Sequence, residues 1–280
     1  MDLARSNHCT TRRSVAAARM GLAALCFGLV CATGCATTTF VTVDDAPSVS
    51  PAVAKRDLGI DYLSSGRTAM ALRQLVASLE LDPSDPKTHL WLGESYRRKG
   101  QVEVAEEFFL EALELASERG GDIRTKHEAQ LNLSALLSQV GRYEDSLAFC
   151  EALASDPMLS TPWRPLTNCG WALMKLGRFE EARAHFRDAL DYFPNYGPAL
   201  LNLGVLDAKQ GHNLAAIRNF ERALDRLNAS GRAEANFRLG EIFMAMGRRD
   251  RAIEHFSAAV KIAPDLDWGS QSQAYLDLLR

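Results

Sequence analysis

The chain lacks every pattern from which catalysis is usually read. Beyond residue 34 its histidines are His89, His127, His185, His212 and His255, and no two have a metal-ligand spacing such as HExxH. There is no glycine-rich phosphate loop and no Gly-x-Ser-x-Gly elbow. The acid pairs Glu106-Glu107 and Glu180-Glu181 fall on the polar side of helical patterns, where a solvated face accounts for them. These absences predict a protein that is not an enzyme and needs no metal, cofactor or small-molecule substrate. Basic excess is missing as well. The formal charge is −3, and leaving out residues 1–34 leaves 28 basic and 34 acidic side chains. Nothing in that balance favours nucleic acid or an anionic lipid surface. Cysteine is scarce: of six, only Cys35, Cys150 and Cys169 lie beyond residue 34, too few for a disulfide framework.

What the chain has is a period. Gly66, Gly100, Gly141, Gly177, Gly211 and Gly247 recur at intervals of 34, 41, 36, 34 and 36 residues. A fixed period in this range marks a solenoid, because one unit cannot bury its apolar face alone. Within each unit the apolar spacing fits amphipathic helices, not strands. Counting positions from Ala52, Pro86, His127, Trp163, Gly197 and Ala233, a small residue stands at position 8: Gly59, Gly93, Ser134, Gly170, Gly204 and Gly240. Position 24 holds a larger one: Leu75, Phe109, Cys150, Phe186, Phe220 and Phe256. Small at 8 lets the first helix (A) approach the second (B), and the residue at 24 fills the space between them. Glycine at 15 relieves the cost of the left-handed turn that ends helix A.

On these residues the unit resembles the tetratricopeptide repeat. The resemblance implies an all-α, right-handed superhelical solenoid of six repeats over residues 52–265 with a capping helix over 266–280. The cap's apolar stripe is Ala274, Tyr275, Leu278 and Leu279. Repeat three is the weakest match, and Asp207 stands in repeat five where a large apolar residue is usual. Seven extra residues around 117–123, with Gly120-Gly121, predict a longer loop after repeat two and an extra turn on the helix before it. Cys150 and Cys169 fall at core positions, 24 of one unit and 7 of the next. They read as buried thiols acting as small hydrophobes, or, as neighbours in an oxidising compartment, as a bridge.

The front end belongs to no repeat. Arg5, Arg12, Arg13 and Arg19 precede a 13-residue apolar run over residues 20–32, short for a membrane span and right for a signal-peptide core. The run ends in Ala32-Thr33-Gly34-Cys35, which resembles a bacterial lipobox. Residues 1–34 are thus predicted to be a lipoprotein signal peptide and Cys35 a lipid anchor. Arg12-Arg13 leaves Sec and twin-arginine export both open. Residues 35–51, rich in Thr, Ser and Pro, read as the lipidated cysteine and a flexible tether with an end-to-end distance of roughly 20 Å. Ala36 rather than Asp after the cysteine implies sorting to the outer membrane, facing the periplasm.

In this repeat family helix A lines the concave face through positions 2, 5, 9, 12 and 13. Repeats three to six then present Leu131, Ala135, Trp171, Met174, Leu201, Val205 and Phe237 to the groove. An apolar stripe on a wet face suggests a partner site; the competing reading is that superhelix curvature takes some of these residues into the core. The order of features narrows the resemblance. A lipobox and tether precede Lys55-Arg56-Asp57-Leu58-Gly59-Ile60-Asp61-Tyr62-Leu63. Later, Asp156-Pro157-Met158 and Thr161-Pro162 lead into Asn168-Cys169-Gly170-Trp171-Ala172. Residues 53–227 are similar to the type IV pilus biogenesis lipoproteins of the PilF/PilW/Tgl kind. That resemblance implies a pilotin, which binds the pilus secretin and promotes its outer-membrane localisation and oligomerisation in support of pilus assembly and motility. A periplasmic scaffold for cell-wall hydrolases or outer-membrane protein assembly is the alternative.

Overall fold

A computed structural model describes residues 49–118 and 122–279. The expected signal peptide, Cys35 and most of the expected tether therefore lie outside the described residues, as does the centre of the insertion. Residues 49–279 contain thirteen helices and, among the described residues, no strand. Six antiparallel pairs follow one another: α1 (Pro51–Ser64) with α2 (Thr68–Leu81), α3 (Pro86–Arg98) with α4 (Val102–Glu118), α5 (Ile123–Gln139) with α6 (Tyr143–Ala154). Then come α7 (Trp163–Lys175) with α8 (Phe179–Tyr192), α9 (Gly197–Lys209) with α10 (Asn213–Leu224), and α11 (Ala229–Ala245) with α12 (Arg249–Ile262). A last helix, α13 (Asp267–Leu278), closes the array.

Each A helix ends for the same reason. The six periodic glycines have φ between 72° and 84°, a left-handed conformation that L side chains resist. Beyond each, a backbone N–H reaches back to close the turn, as Arg67 N to Tyr62 O at 2.8 Å and Arg248 N to Phe243 O at 2.8 Å. Starts are equally local. Asp85 caps α3 ahead of Pro86, Asp122 caps α5 by accepting from Thr125 N, and Asn228 caps α11 by accepting from Gly231 N.

The small-to-large packing inside each pair is tight. A Cβ added at Gly93, Gly170, Gly204 or Gly240 would lie 2.5 to 2.7 Å from the ring of Phe109, Phe186, Phe220 or Phe256. All four rings are fully buried. In repeat three Ser134 takes the small position; its carbonyl accepts from Ser146 Oγ at 2.7 Å. Opposite it Cys150 is bonded to Cys169 of α7, with Cα atoms 5.6 Å apart. The two thiols thus do not act as independent small hydrophobes: side-chain 24 of one repeat meets side-chain 7 of the next, and the sulfurs join α6 to α7.

Two further departures have local causes. Asp207 is 3% exposed because it is held rather than solvated: Arg183 Nη1 donates to it at 2.6 Å and Asn219 Nδ2 at 2.8 Å. The charge pair ties α8 to α9 where an apolar contact is usual. In the cap, Trp268, Tyr275, Leu276 and Leu279 pack on the last repeat. Tyr275 stacks on Phe256 with centroids 4.8 Å apart. The expected stripe is thus rotated, since Leu278 is 83% exposed and Ala274 faces solvent. Helix α4 does carry the extra turn, running 17 residues.

Candidate docking face

Consecutive A helices touch one another: α1 and α3, α3 and α5, and so on to α11. No two B helices do, among the described residues. A layer whose members touch while the other layer fans apart is the inner side of a curve. The six A helices therefore make the concave face.

Position 5 does not open onto that face. Leu90, Leu131, Leu201 and Phe237 there are 8%, 8%, 9% and 3% exposed, and Thr167 is 4%. Neighbouring A helices come close enough to cover this row. Phe237 also lies 5.3 Å from Trp268 and 5.7 Å from Tyr275 of the capping helix, centroid to centroid. Met174 at position 12 is buried too, among Cys169, Leu173 and Phe186. Four of the seven expected groove residues, Leu131, Met174, Leu201 and Phe237, are thus core. The curvature that makes the groove also closes these positions beneath adjacent helices. The accessible row is position 9: Ala135 is exposed, and Trp171 and Val205 are half-buried. The Lys175 ammonium sits 4.5 Å above the Trp171 ring, a cation–π contact that fixes the indole on the face.

Two hollows flank Trp171. The first, about 560 Å³, lies between α3 and α5 and is floored by Leu90 and Trp91. The second, about 510 Å³, lies between α9 and α11 beside Val205, Ile242 and Arg238. Both are walled by the long A helices: α5 and α11 each have 17 residues, against 13 or 14 for the others. The added turn in α5 carries Arg124 into the first hollow.

Charge in the first hollow is unevenly satisfied. Burial pushes the Glu94 carboxyl up, but hydrogen bonds from Arg97 and Arg98 outweigh it and hold the group below its usual range. Glu128 accepts from Arg164 at 2.8 Å. Both carboxylates are thereby engaged, while Arg124, the Asn132 amide and the Trp91 indole N–H meet no acceptor among the described residues. Repeat position 6, which holds Trp91 and Asn132, and the turn ahead of repeat three, which holds Arg124, fell outside the sequence expectation. The signal for Arg124 was Asp122, a helix cap four residues earlier than the repeat register.

Elsewhere on α11, burial raises the Glu234 carboxyl against the lowering pull of Arg238 and Lys175. Among the described residues no cluster of His, Cys, Asp and Glu could hold a metal ion, and no helix is long and apolar enough to cross a membrane. The face offers two clefts and a half-buried indole between them.

Comparison with known proteins identifies the repeat. Two family descriptions, both tetratricopeptide repeat, match residues 56–119 with 201–267 and residues 163–196. Neither describes an enzyme. Tetratricopeptide repeat protein 16 of Macaca fascicularis is 27% identical over 182 residues, covering 63% of this chain and 20% of its own length. The Homo sapiens protein of the same name is 26% identical over 175 residues, again covering 20% of its own length. The chain thus spans about a fifth of the curated relatives it matches. Among solved structures, PilF of Pseudomonas aeruginosa shares 20% identity with a TM-score of 0.62, covering 80% of this chain and 97% of that one. PilW, a widely conserved type IV pilus biogenesis factor, shares 22% identity with a TM-score of 0.67, covering 82% and 100%. A chain of the APC/C hetero-tetramer Cut9–Hcn1 has the same TM-score at 19% identity but is covered over only 42%. At these identities the likeness is one of fold.

Proposed function

We propose that this chain, which belongs to the tetratricopeptide repeat family, is a type IV pilus biogenesis lipoprotein of the outer membrane that serves as pilotin for the pilus secretin. The observation that carries the reading is extent of match. Repeat proteins of many kinds share this fold, and PilF and PilW combine coverage of 97% and 100% of their own chains with 80% and 82% of this one. The lipobox at Cys35 and the tether after it supply the rest, an anchor that keeps the repeats within roughly 20 Å of the membrane. In this role the concave face holds a segment of a secretin protomer until the protomers assemble into a ring, and no chemistry is required of it.

The test is genetic. Deleting the protein leaves secretin monomers in place of the heat-stable ring and abolishes pili. Cys35→Ser releases the protein from outer-membrane fractions and gives the same phenotype. Trp171→Ala leaves anchor and helix content intact but weakens secretin pull-down, because the partner loses the apolar area of the indole. Normal secretin multimers in the deletion strain reject the pilotin and leave a periplasmic scaffold.

A further inference from the structure

We infer that the hollow between α3 and α5 is a specific subsite for an acidic segment of a partner protein, one in which a carboxylate side chain neighbours a large apolar one. The inference deepens the docking reading of the concave face and rests on it.

The argument is one of unmatched capacity. The two carboxylates that line the hollow are already used: Glu94 by two guanidiniums, at 2.7 Å each, and Glu128 by Arg164 at 2.8 Å. The groups left without a partner are mainly donors, against one free oxygen of Glu128. Among the described residues the exposed Arg124 guanidinium meets no carboxylate, and the Asn132 amide and the Trp91 indole N–H meet no acceptor. Lys87 stands at the rim, half exposed and paired with Asp122 at 3.2 Å. An occupant that satisfies this set must bring acceptors and negative charge. The chain as a whole is acidic, at −3, whereas this hollow is lined by three cations, Lys87, Arg97 and Arg124, against two carboxylates, Glu94 and Glu128, so its balance is a local departure. The floor adds the second requirement. Leu90 is nearly buried and Trp91 half-buried, and together they offer an apolar seat beside the guanidinium. A planar guanidinium next to an indole takes a carboxylate in a forked geometry while the neighbouring side chain lies on the ring.

An extended backbone suits the site better than a small anion. The hollow, about 560 Å³, is open along the groove, and the Asn132 amide can serve a backbone carbonyl next to the carboxylate. Position 6 and the added turn of α5 supply the donors.

The probe is a fluorescein-labelled, end-capped peptide of twelve residues alternating aspartate with leucine and phenylalanine. Two controls replace every aspartate by asparagine or by lysine. Binding to the purified full-length protein is followed by anisotropy. The aspartate peptide should bind at least tenfold more tightly than the asparagine peptide, and its affinity should fall with added salt. Arg124→Gln should remove most of that tenfold preference while leaving the asparagine peptide unchanged. Trp91→Ala should weaken both, and Val205→Ala at the other hollow, which adds no charge, should not alter the preference. Circular dichroism confirms that each variant is folded. Equal or tighter binding of the asparagine or lysine peptide, no binding by any of the three, or an aspartate preference that survives Arg124→Gln overturns the inference. The readout uses no secretin. Capture of the aspartate peptide by a protein whose deletion leaves secretin rings normal would reject the pilotin alone.

Discussion

Gly170→Ala sets two effects of known size against each other. In a helix interior alanine is favoured over glycine by about 1 kcal/mol, so propensity alone predicts stabilisation. The structure predicts the opposite. The new Cβ would lie 2.5, 2.7 and 3.0 Å from Cε1, Cδ1 and Cζ of Phe186. Comfortable carbon contacts lie near 3.5–4.0 Å, so the ring must retreat by about 1 Å. It has nowhere to go: Phe186 is 0% exposed and packed among Cys169, Ala172, Leu173 and Ala182. Overpacking of this kind costs about 1–3 kcal/mol. Subtracting the propensity gain leaves a net loss between nothing and about 2 kcal/mol, and Gly170→Leu should exceed it. The assay is urea unfolding followed by circular dichroism on Gly170→Ala, Phe186→Leu and the double variant. If the clash is the cause, the double variant loses less than the sum of the singles by at least about 0.5 kcal/mol. Stabilisation by Gly170→Ala, or strict additivity in the double variant, refutes the packing argument.

Other consequences are quicker to state. Asp207→Ala leaves the partly buried Arg183 with Gln210 as its remaining acceptor and strips Asn219 of its own, so it should cost about 1–3 kcal/mol, whereas Asp207→Leu with Arg183→Met should recover most of it; urea midpoints decide. His255 is 9% exposed and stacked on Phe243, and burial holds its imidazole below the usual value. The fold therefore prefers the neutral ring. Its contribution is present above about pH 6.5, where the unfolded chain is also neutral, and is lost as pH falls through the depressed folded value. Melting temperatures between pH 7.5 and 5 should drop in the wild type and drop less in His255→Gln; equal slopes would exclude His255 as the source.

What could be read from the sequence is what depends on one helix pair. A glycine at the end of helix A has a purely local cause, φ near 75°, and all six were legible. The pairing of position 8 with position 24 is likewise internal to a repeat, and the Ser134–Cys150 exception was visible as the weak third unit. Depth in the groove depends instead on how closely successive A helices approach, which no single repeat records. Position 5 carries Leu, Phe, Thr and Arg alike, and Thr167 is as buried as Leu131. Helical phase places both rows on the inner side and cannot say that one is covered. The bridge between Cys150 and Cys169 was legible only as adjacency of positions 24 and 7, since a separation of 19 residues does not fix a Cα distance of 5.6 Å. Asp122 and Asn228 did mark the early starts of α5 and α11, but a fixed repeat register hides a cap that precedes it.

Those early starts set the scale of whatever the groove holds. The two hollows lie between α3 and α5 and between α9 and α11, with α7 and its Trp171 midway. Three steps from one A helix to the next, at about 8–10 Å each, separate them by roughly 24–30 Å. An extended chain covers about 3.3 Å per residue, so a segment touching both hollows needs roughly seven to nine residues across the Trp171 ridge. A shorter segment can fill one hollow only, and a longer one gains the second as an intramolecular event, with no new cost of bringing the partner to the protein. Affinity should therefore rise in a step, not smoothly, as an aspartate–leucine–phenylalanine peptide is lengthened from six to twelve residues. Val205→Glu should erase the step while sparing the six-residue peptide, because it touches only the second hollow. A smooth rise with length, or a six-residue peptide that binds as tightly as the twelve, would mean that the hollows act separately and that Trp171 is not crossed.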